Sequence, residues 1–203
     1  MTTSATVLDL IEAFRRSKAM FAAVDLGVFD NTPASADELR DRLNASEIER
    51  LLDACVALGL LEKRGAVYHN TNDAERFLRK ESPDTMTGYI RYSNDVLYPM
   101  WAHLEDAVRE GTHRWKQTFN LDGPIFSHFF RNEEAMREFL KGMHGFGQLC
   151  SPAVVAAFDL SRFHHLVDLG GASGHLAAAA RYSSPRNCST KRTCPPTCSP
   201  LTC

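Results

Sequence analysis

No apolar run reaches about 18 residues, so no membrane-spanning helix is expected. Neither sign of charge dominates: 23 Lys+Arg stand against 25 Asp+Glu, a net charge of −2. A balance this even does not fit a general polyanion binder, and no nucleic-acid partner is expected. The opening Met1-Thr-Thr-Ser-Ala lacks the basic start and short, purely apolar stretch of a secretory signal. It leads instead into a segment bearing Asp9, Glu12 and Arg15, and the cytoplasm is the expected location. No Cys-x2-Cys knuckle occurs, and no metal site is expected. What is present is ordinary globular usage, with 203 residues, 44% hydrophobic and 24% charged, enough for one domain or two small ones. Cys55 and Cys150 stand alone in apolar helical contexts and read as small core residues.

Val7, Leu10, Ile11, Phe14, Phe21 and Val24 recur every three or four positions, which predicts one helix over residues 6–28. Gly27 and the Asn31-Thr-Pro33 cluster end it. Ser35 with Glu38 three residues on forms a capping box, opening a short helix over Ser35–Leu43. Ser46 with Glu49 repeats the box before a third helix, whose stripe is Ile48, Leu51, Leu52, Cys55 and Leu58 and which runs to about Leu61. Lys63-Arg-Gly65 then reads as a turn, Ala66-Val-Tyr68 as a short strand, and Glu75–Leu78 as a further helical turn.

Helix, short helix, helix and small hairpin is the winged-helix order. A DNA reader would place the third helix in the major groove, with cations facing phosphates and bases. That helix and its flanks carry Glu47, Glu49, Asp53 and Glu62 against Arg50 and Lys63. Such a face repels a duplex, and a packing or dimerisation module is the reading it favours.

Between Asn94 and Gly111 a helix starts near Pro99, with Met100, Leu104, Ala107 and Val108 as its expected buried side. Asp122-Gly-Pro124 is a turn. Asn132 caps the next helix, with Glu133 and Glu134 at its positive end. Met136, Phe139, Leu140, Met143 and Phe146 form its stripe, which suits either a core or a cofactor pocket. Ser151-Pro152 is expected to restart a helix through Phe158.

The segment with chemical content is residues 165–176. His165–Leu169 reads as a strand apolar on both faces, as in a buried parallel sheet. Gly170, Gly171 and Gly174 follow, and Leu176-Ala-Ala-Ala-Ala180 begins a helix. Strand, glycine loop and helix is the first unit of a nucleotide-binding doubly wound fold. Asp168 at the strand end suits a cationic ligand rather than a phosphate, and S-adenosylmethionine (SAM) carries an ammonium and a sulfonium. A plain glycine turn between any strand and helix remains the alternative.

With those residues in view, residues 5–180 resemble the S-adenosylmethionine-dependent O-methyltransferases of the acetylserotonin O-methyltransferase type. The matching stretches are Leu51-Leu-Asp-Ala-Cys-Val-Ala-Leu-Gly-Leu-Leu61, Trp101-Ala-His-Leu-Glu-Asp-Ala-Val-Arg-Glu-Gly111, Ala157-Phe-Asp-Leu-Ser161 and Val167-Asp-Leu-Gly-Gly-Ala-Ser-Gly174. The resemblance implies a mainly α chain. Residues 1–95 would be a winged-helix-like dimerisation domain, and residues 96–160 a helical connector lining the cofactor and acceptor pocket. Residues 161–181 would be only the first strand-loop-helix of a Rossmann-like α/β methyltransferase domain. It implies SAM held by Asp168, Gly170, Gly171 and Gly174, and an acceptor against Phe139 and Met143, which match a Phe-x-x-x-Met spacing. Ala172 stands where the family often has glycine, and its methyl group would crowd the ligand. The implied reaction is methyl transfer to a small hydroxylated aromatic or indole, with a general-base His that no residue of this chain matches. A homodimer through the N-terminal part, with the first helix as partner surface, is also implied.

The resemblance ends after Arg181. Tyr182–Cys203 holds four each of Ser, Thr, Pro and Cys and no acid, and reads as a disordered tail. Its Cys-x5-Cys-x3-Cys-x4-Cys spacing is not that of a zinc module, and a disulfide framework needs an oxidising compartment. A frameshifted or alternatively spliced end is the favoured reading. Another frame near codon 182 should then restore an apolar strand and an acid. The chain has roughly half the length the family's fold requires and is expected to be inactive as it stands. A non-catalytic dimerisation or interaction protein of the same descent is the alternative.

Overall fold

The computed structural model describes residues 5–163 and 165–183. The tail expected over 182–203 therefore lies almost wholly outside the described residues. Two compact units divide the chain, residues 1–123 and 124–203.

In the first unit α1 spans Ala5–Leu26 and stops at Gly27, whose φ of 79° a side chain would disfavour. A short 3₁₀ turn, Val28–Asp30, leads to β1 (Ala34–Ser35) and α2 (Ala36–Leu43). The capping box forms as expected: Ser35 Oγ accepts from the Glu38 amide, and the Glu38 carboxylate accepts from the Ser35 amide at 2.7 Å. Those bonds hold the Glu38 carboxyl below the usual carboxylate range. The second expected box does not form. α3 (Ile48–Ala57) starts one residue later, with Glu47 at the N-cap position, and no side chain caps it. The Ile48 amide bonds the Ala45 carbonyl in the turn before it, so Ser46 precedes the position from which it could cap.

α3 also ends before Leu61. Leu60 N donates to Cys55 O at 2.9 Å and Gly59 N to Val56 O at 3.0 Å, with Gly59 at φ 72°. This is a Schellman cap, which needs a left-handed residue and therefore overrides the continuing apolar stripe. The released residues pair instead. β2 (Leu61–Arg64) runs antiparallel to β3 (Val67–Asn70), with Leu61 opposite Asn70 and Arg64 opposite Val67. β1 adds to the far side of β3, giving the order β1-β3-β2. α4 (Asn72–Phe77) begins at Thr71, whose Oγ1 accepts from the Ala74 amide.

The core of this unit is Ala23, Val24, Val28, Phe29, Leu39, Ile48, Leu52, Cys55, Leu61 and Tyr68, all under 5% exposed. Burial pushes the Cys55 thiol up to about 11. Cys150 is only half-buried. The early part of α1 is different: Val7, Leu8, Leu10, Ile11 and Phe14 are each more than half exposed.

α5 (Thr87–Tyr92) passes through a π turn, Ser93–Leu97, into α6 (Tyr98–Trp101). Pro99 lies in the first turn of α6, where its missing N–H costs nothing. Its ring would meet the Asp95 carbonyl in a regular α-helix, and the wider π turn relieves that clash. α7 (Leu104–Glu110) follows a break at Ala102–His103, so the helix expected up to Gly111 is divided. Its expected buried side is not buried: Leu104 is 45% and Val108 75% exposed. α8 (Trp115–Phe119) closes the unit.

The second unit holds α9 (Ile125–Phe129), α10 (Glu133–Ala156) and α11 (His175–Ser183). Asn132 Oδ1 caps α10 by accepting from Ala135 N at 2.8 Å. Pro152 does not restart a helix; α10 runs through it, losing only the bond its N–H would have made. The buried face of α10 is Ala135, Gly142, Gly145, Gly147, Ser151 and Val155, while its large apolar stripe is half-exposed and Phe146 is 42% exposed. α11 packs along α10, and small side chains permit that approach.

The fold is mainly α, as expected. Residues 165–169, however, form no strand: 165–168 have no regular structure and Leu169 opens a turn, and Val167 and Leu169 are 85% and 96% exposed. A strand forms only by pairing, and the strands among the described residues, β1, β3 and β2, pair with one another. Among the described residues no helix is long and apolar enough to cross a membrane.

Candidate functional site

The glycine loop is the chemically distinctive feature of the second unit. Asp168 is the last residue before the loop's first turn and is exposed, with its carboxylate folded over Gly171. A Cβ on Gly171 would lie 2.5 Å from Asp168 Cγ, closer than atoms pack, so only glycine leaves the carboxylate there. Gly170 and Gly174 have φ of 72° and 74°, and nothing lies within 4 Å of where their Cβ atoms would be. Ala172 also adopts a left-handed φ of 46°, which a side chain disfavours by about 1 kcal/mol. Gly174 N donates to Gly171 O at 2.7 Å, and Ala178 N to Gly174 O at 2.9 Å, which closes the loop into the first turn of α11.

The four expected cofactor residues are thus brought together: a carboxylate beside a bare, open stretch of backbone. An exposed acceptor next to backbone without side chains fits a ligand that brings an ammonium and hydroxyl groups. The loop fits SAM on those grounds. Among the described residues no group of three or more His, Cys, Asp or Glu could hold a metal ion.

Phe139 and Met143 sit one turn apart on α10, both half-buried. Phe139 stacks on Phe129 with ring centroids 4.3 Å apart, and meets Phe126 and Phe130 edge-on at 6.4 and 6.1 Å. Met143 directly precedes His144, whose Nδ1 shares a 2.7 Å hydrogen bond with Ser173 Oγ in the glycine loop. Sequence reasoning missed this contact, and a second one: Ser151 Oγ shares a 2.8 Å bond with His175 Nδ1. A signal existed. His144, Gly147 and Ser151 fall at i, i+3 and i+7, one stripe of α10, and Gly147 is a costly residue in a helix interior unless something packs against it.

Comparison with known proteins identifies the family. The O-methyltransferase dimerisation domain family matches residues 8–80, and the O-methyltransferase domain family matches residues 101–190. The two matches, in that order, define the class, and the chain belongs to the O-methyltransferase family. Within it the chain is similar to chicken (Gallus gallus) acetylserotonin O-methyltransferase, 39% identical over 194 residues, which covers 90% of this chain and 56% of that protein. It is also 35% identical to a human probable bifunctional dTTP/UTP pyrophosphatase/methyltransferase protein, over 89% of this chain and 30% of that one. Among solved structures, human N-acetylserotonin methyltransferase in complex with SAM superposes with a TM-score of 0.78 at 32% identity, covering 91% of this chain and 57% of that one. PigF with SAH gives 0.75 at 28% identity, covering 90% and 56%. The chain spans about half the length of the acetylserotonin O-methyltransferases it matches.

Proposed function

We propose that the chain is the dimerisation and cofactor-entry portion of a SAM-dependent O-methyltransferase acting on a small hydroxylated aromatic or indole. The observation that carries this is the loop Asp168–Gly174, with Gly171 kept bare beneath the Asp168 carboxylate and α11 beginning at its end. Asp168 would bind the cofactor's cationic or hydroxyl groups, and Gly170, Gly171 and Gly174 would let backbone approach it. Bound there, SAM would supply a methyl group activated on sulfonium. Phe139 and Met143 would orient a flat acceptor through ring and thioether contacts.

Dimerisation through the exposed apolar face of α1 belongs to the same proposal, with the cytoplasm as the compartment. The wing supports dimerisation over duplex binding, because Lys63 is paired with Asp53 at 3.1 Å and Glu49 at 3.5 Å.

Titration calorimetry with SAM is the test. Saturable binding is expected, weakened about ten- to a hundredfold by Asp168→Asn, the range for a hydrogen bond to a charged group. Absence of binding up to about 1 mM, a Kd that would be worth only about 4 kcal/mol, overturns the cofactor reading.

A second reading has its own observation. Val167 and Leu169 stand almost fully exposed, so no sheet holds the loop in place among the described residues. These 203 residues by themselves are therefore proposed to dimerise without methyl transfer. Transfer of a labelled methyl group by the purified chain would overturn that.

A further inference from the structure

We propose that His144, Gly147 and Ser151 of α10, with Ser173 and His175, form a clasp that positions the glycine loop. Its use in cofactor binding rests on the reading above; its existence does not.

The stripe His144–Gly147–Ser151 runs along one side of α10, and the loop and the start of α11 lie on it. α10 contributes His144 and Ser151, the glycine loop Ser173 and the first residue of α11 His175, exchanged crosswise: His144 with Ser173 at 2.7 Å, and Ser151 with His175 at 2.8 Å. The two imidazole rings stand 6.3 Å apart. Gly147 lies between the two bonds, and a Cβ there would run into the His175 ring. Ser151 is 3% exposed, so without His175 its hydroxyl would be buried away from water.

The loop needs such support. Three of its residues, Gly170, Ala172 and Gly174, have left-handed φ, and the segment before it pairs with no strand among the described residues. Ser173 lies between two of those three, and His175 directly after the last. Bonds at these two positions tie down the end of the loop next to α11, leaving the Asp168 end open to ligand. The imidazoles act as positioning residues through the backbone they anchor.

Amide hydrogen exchange on the full chain without ligand tests this at the Gly174 and Ala178 amides, both bonded in the loop and first turn of α11. His144→Ala and Ser151→Ala should each speed exchange there about two- to tenfold, the range for one net hydrogen bond. Gly147→Ala should do the same by displacing the His175 ring. His144→Asn keeps a polar atom near the Nδ1 position and should restore slow exchange, which a purely space-filling role would not predict. His144→Ala combined with Ser173→Ala should exchange no faster than either alone. Unchanged exchange in the single variants, additive effects in the double, or no rescue by asparagine overturns the clasp. Loss of protection in a chain that binds no SAM supports the clasp and overturns only the cofactor reading.

Discussion

Tyr68 is fully buried, yet its hydroxyl donates to Asp53 Oδ1 at 2.7 Å, and Lys63 Nζ lies 3.1 Å from the same oxygen and 4.8 Å from the Tyr68 ring centroid. The Tyr68 bond, then the Lys63 bond, hold the Asp53 carboxyl below its ordinary value, while burial pushes the Tyr68 hydroxyl up. The folded state therefore binds the Asp53 proton less readily than the unfolded state does. Its contribution is complete above the ordinary aspartate range near pH 4 and is lost as pH falls below it. Tyr68→Phe removes the donor. It is expected to lower the urea midpoint at pH 7, with a smaller loss in acid, as the Asp53 carboxyl takes up its proton. An equal loss at pH 7 and in acid would show that ring packing alone matters.

Among the elements, α3 carries the greatest weight in the first unit, because it turns Ile48, Leu52 and Cys55 into the core. Leu52 is 0% exposed, and Leu52→Ala is expected to cost about 2–5 kcal/mol in denaturant unfolding. A cost below about 1 kcal/mol would place the core elsewhere. The elements best read from sequence are those decided locally. The Ser35–Glu38 box, the Asn132 cap and the third-helix stripe each depend on neighbours within one turn. Of three misreadings, the first is also local but pits a cap against the apolar stripe, and the other two depend on distant partners. Gly59 stops α3 through a cap that involves Cys55 and Val56, against the apolar pattern. Pro152 is tolerated inside α10, whose buried face is set by α11 rather than by its own largest side chains. Residues 165–169 have strand composition, but strand formation belongs to the pair, not to the segment. At the site, the glycines and Asp168 were legible because loop chemistry is local. The bonds of His144 and Ser151 were not, because their partners are 29 and 24 residues away.

For the whole molecule, the exposed face of α1 is the surface that bears on assembly. Val7, Leu10, Ile11 and Phe14 are each more than half exposed along one helix, a larger apolar display than scattered surface residues make. We propose that a second copy covers it. Sedimentation equilibrium should report a dimer whose mass changes little between low and high salt, since apolar burial is not screened. Ile11→Glu with Phe14→Glu should give a monomer with unchanged helical circular dichroism. A wild-type monomer at about 100 μM, or a dimer that survives both changes, would move the interface off α1. Burial of that face also protects the nearby ion pairs Arg15–Glu12 and Arg16–Asp9 only if the partner leaves them wet, so they belong on its rim.

The bare segment before the glycine loop carries a consequence for handling the protein. Val167 and Leu169 leave two large apolar side chains in the open, in a segment that pairs with no strand among the described residues. Such a segment templates cross-β growth, adding strand upon strand without the saturation that a closed two-fold assembly imposes. Turbidity and fibril-dye fluorescence of a concentrated sample are expected to rise with time, and a flat trace would show that this segment is covered.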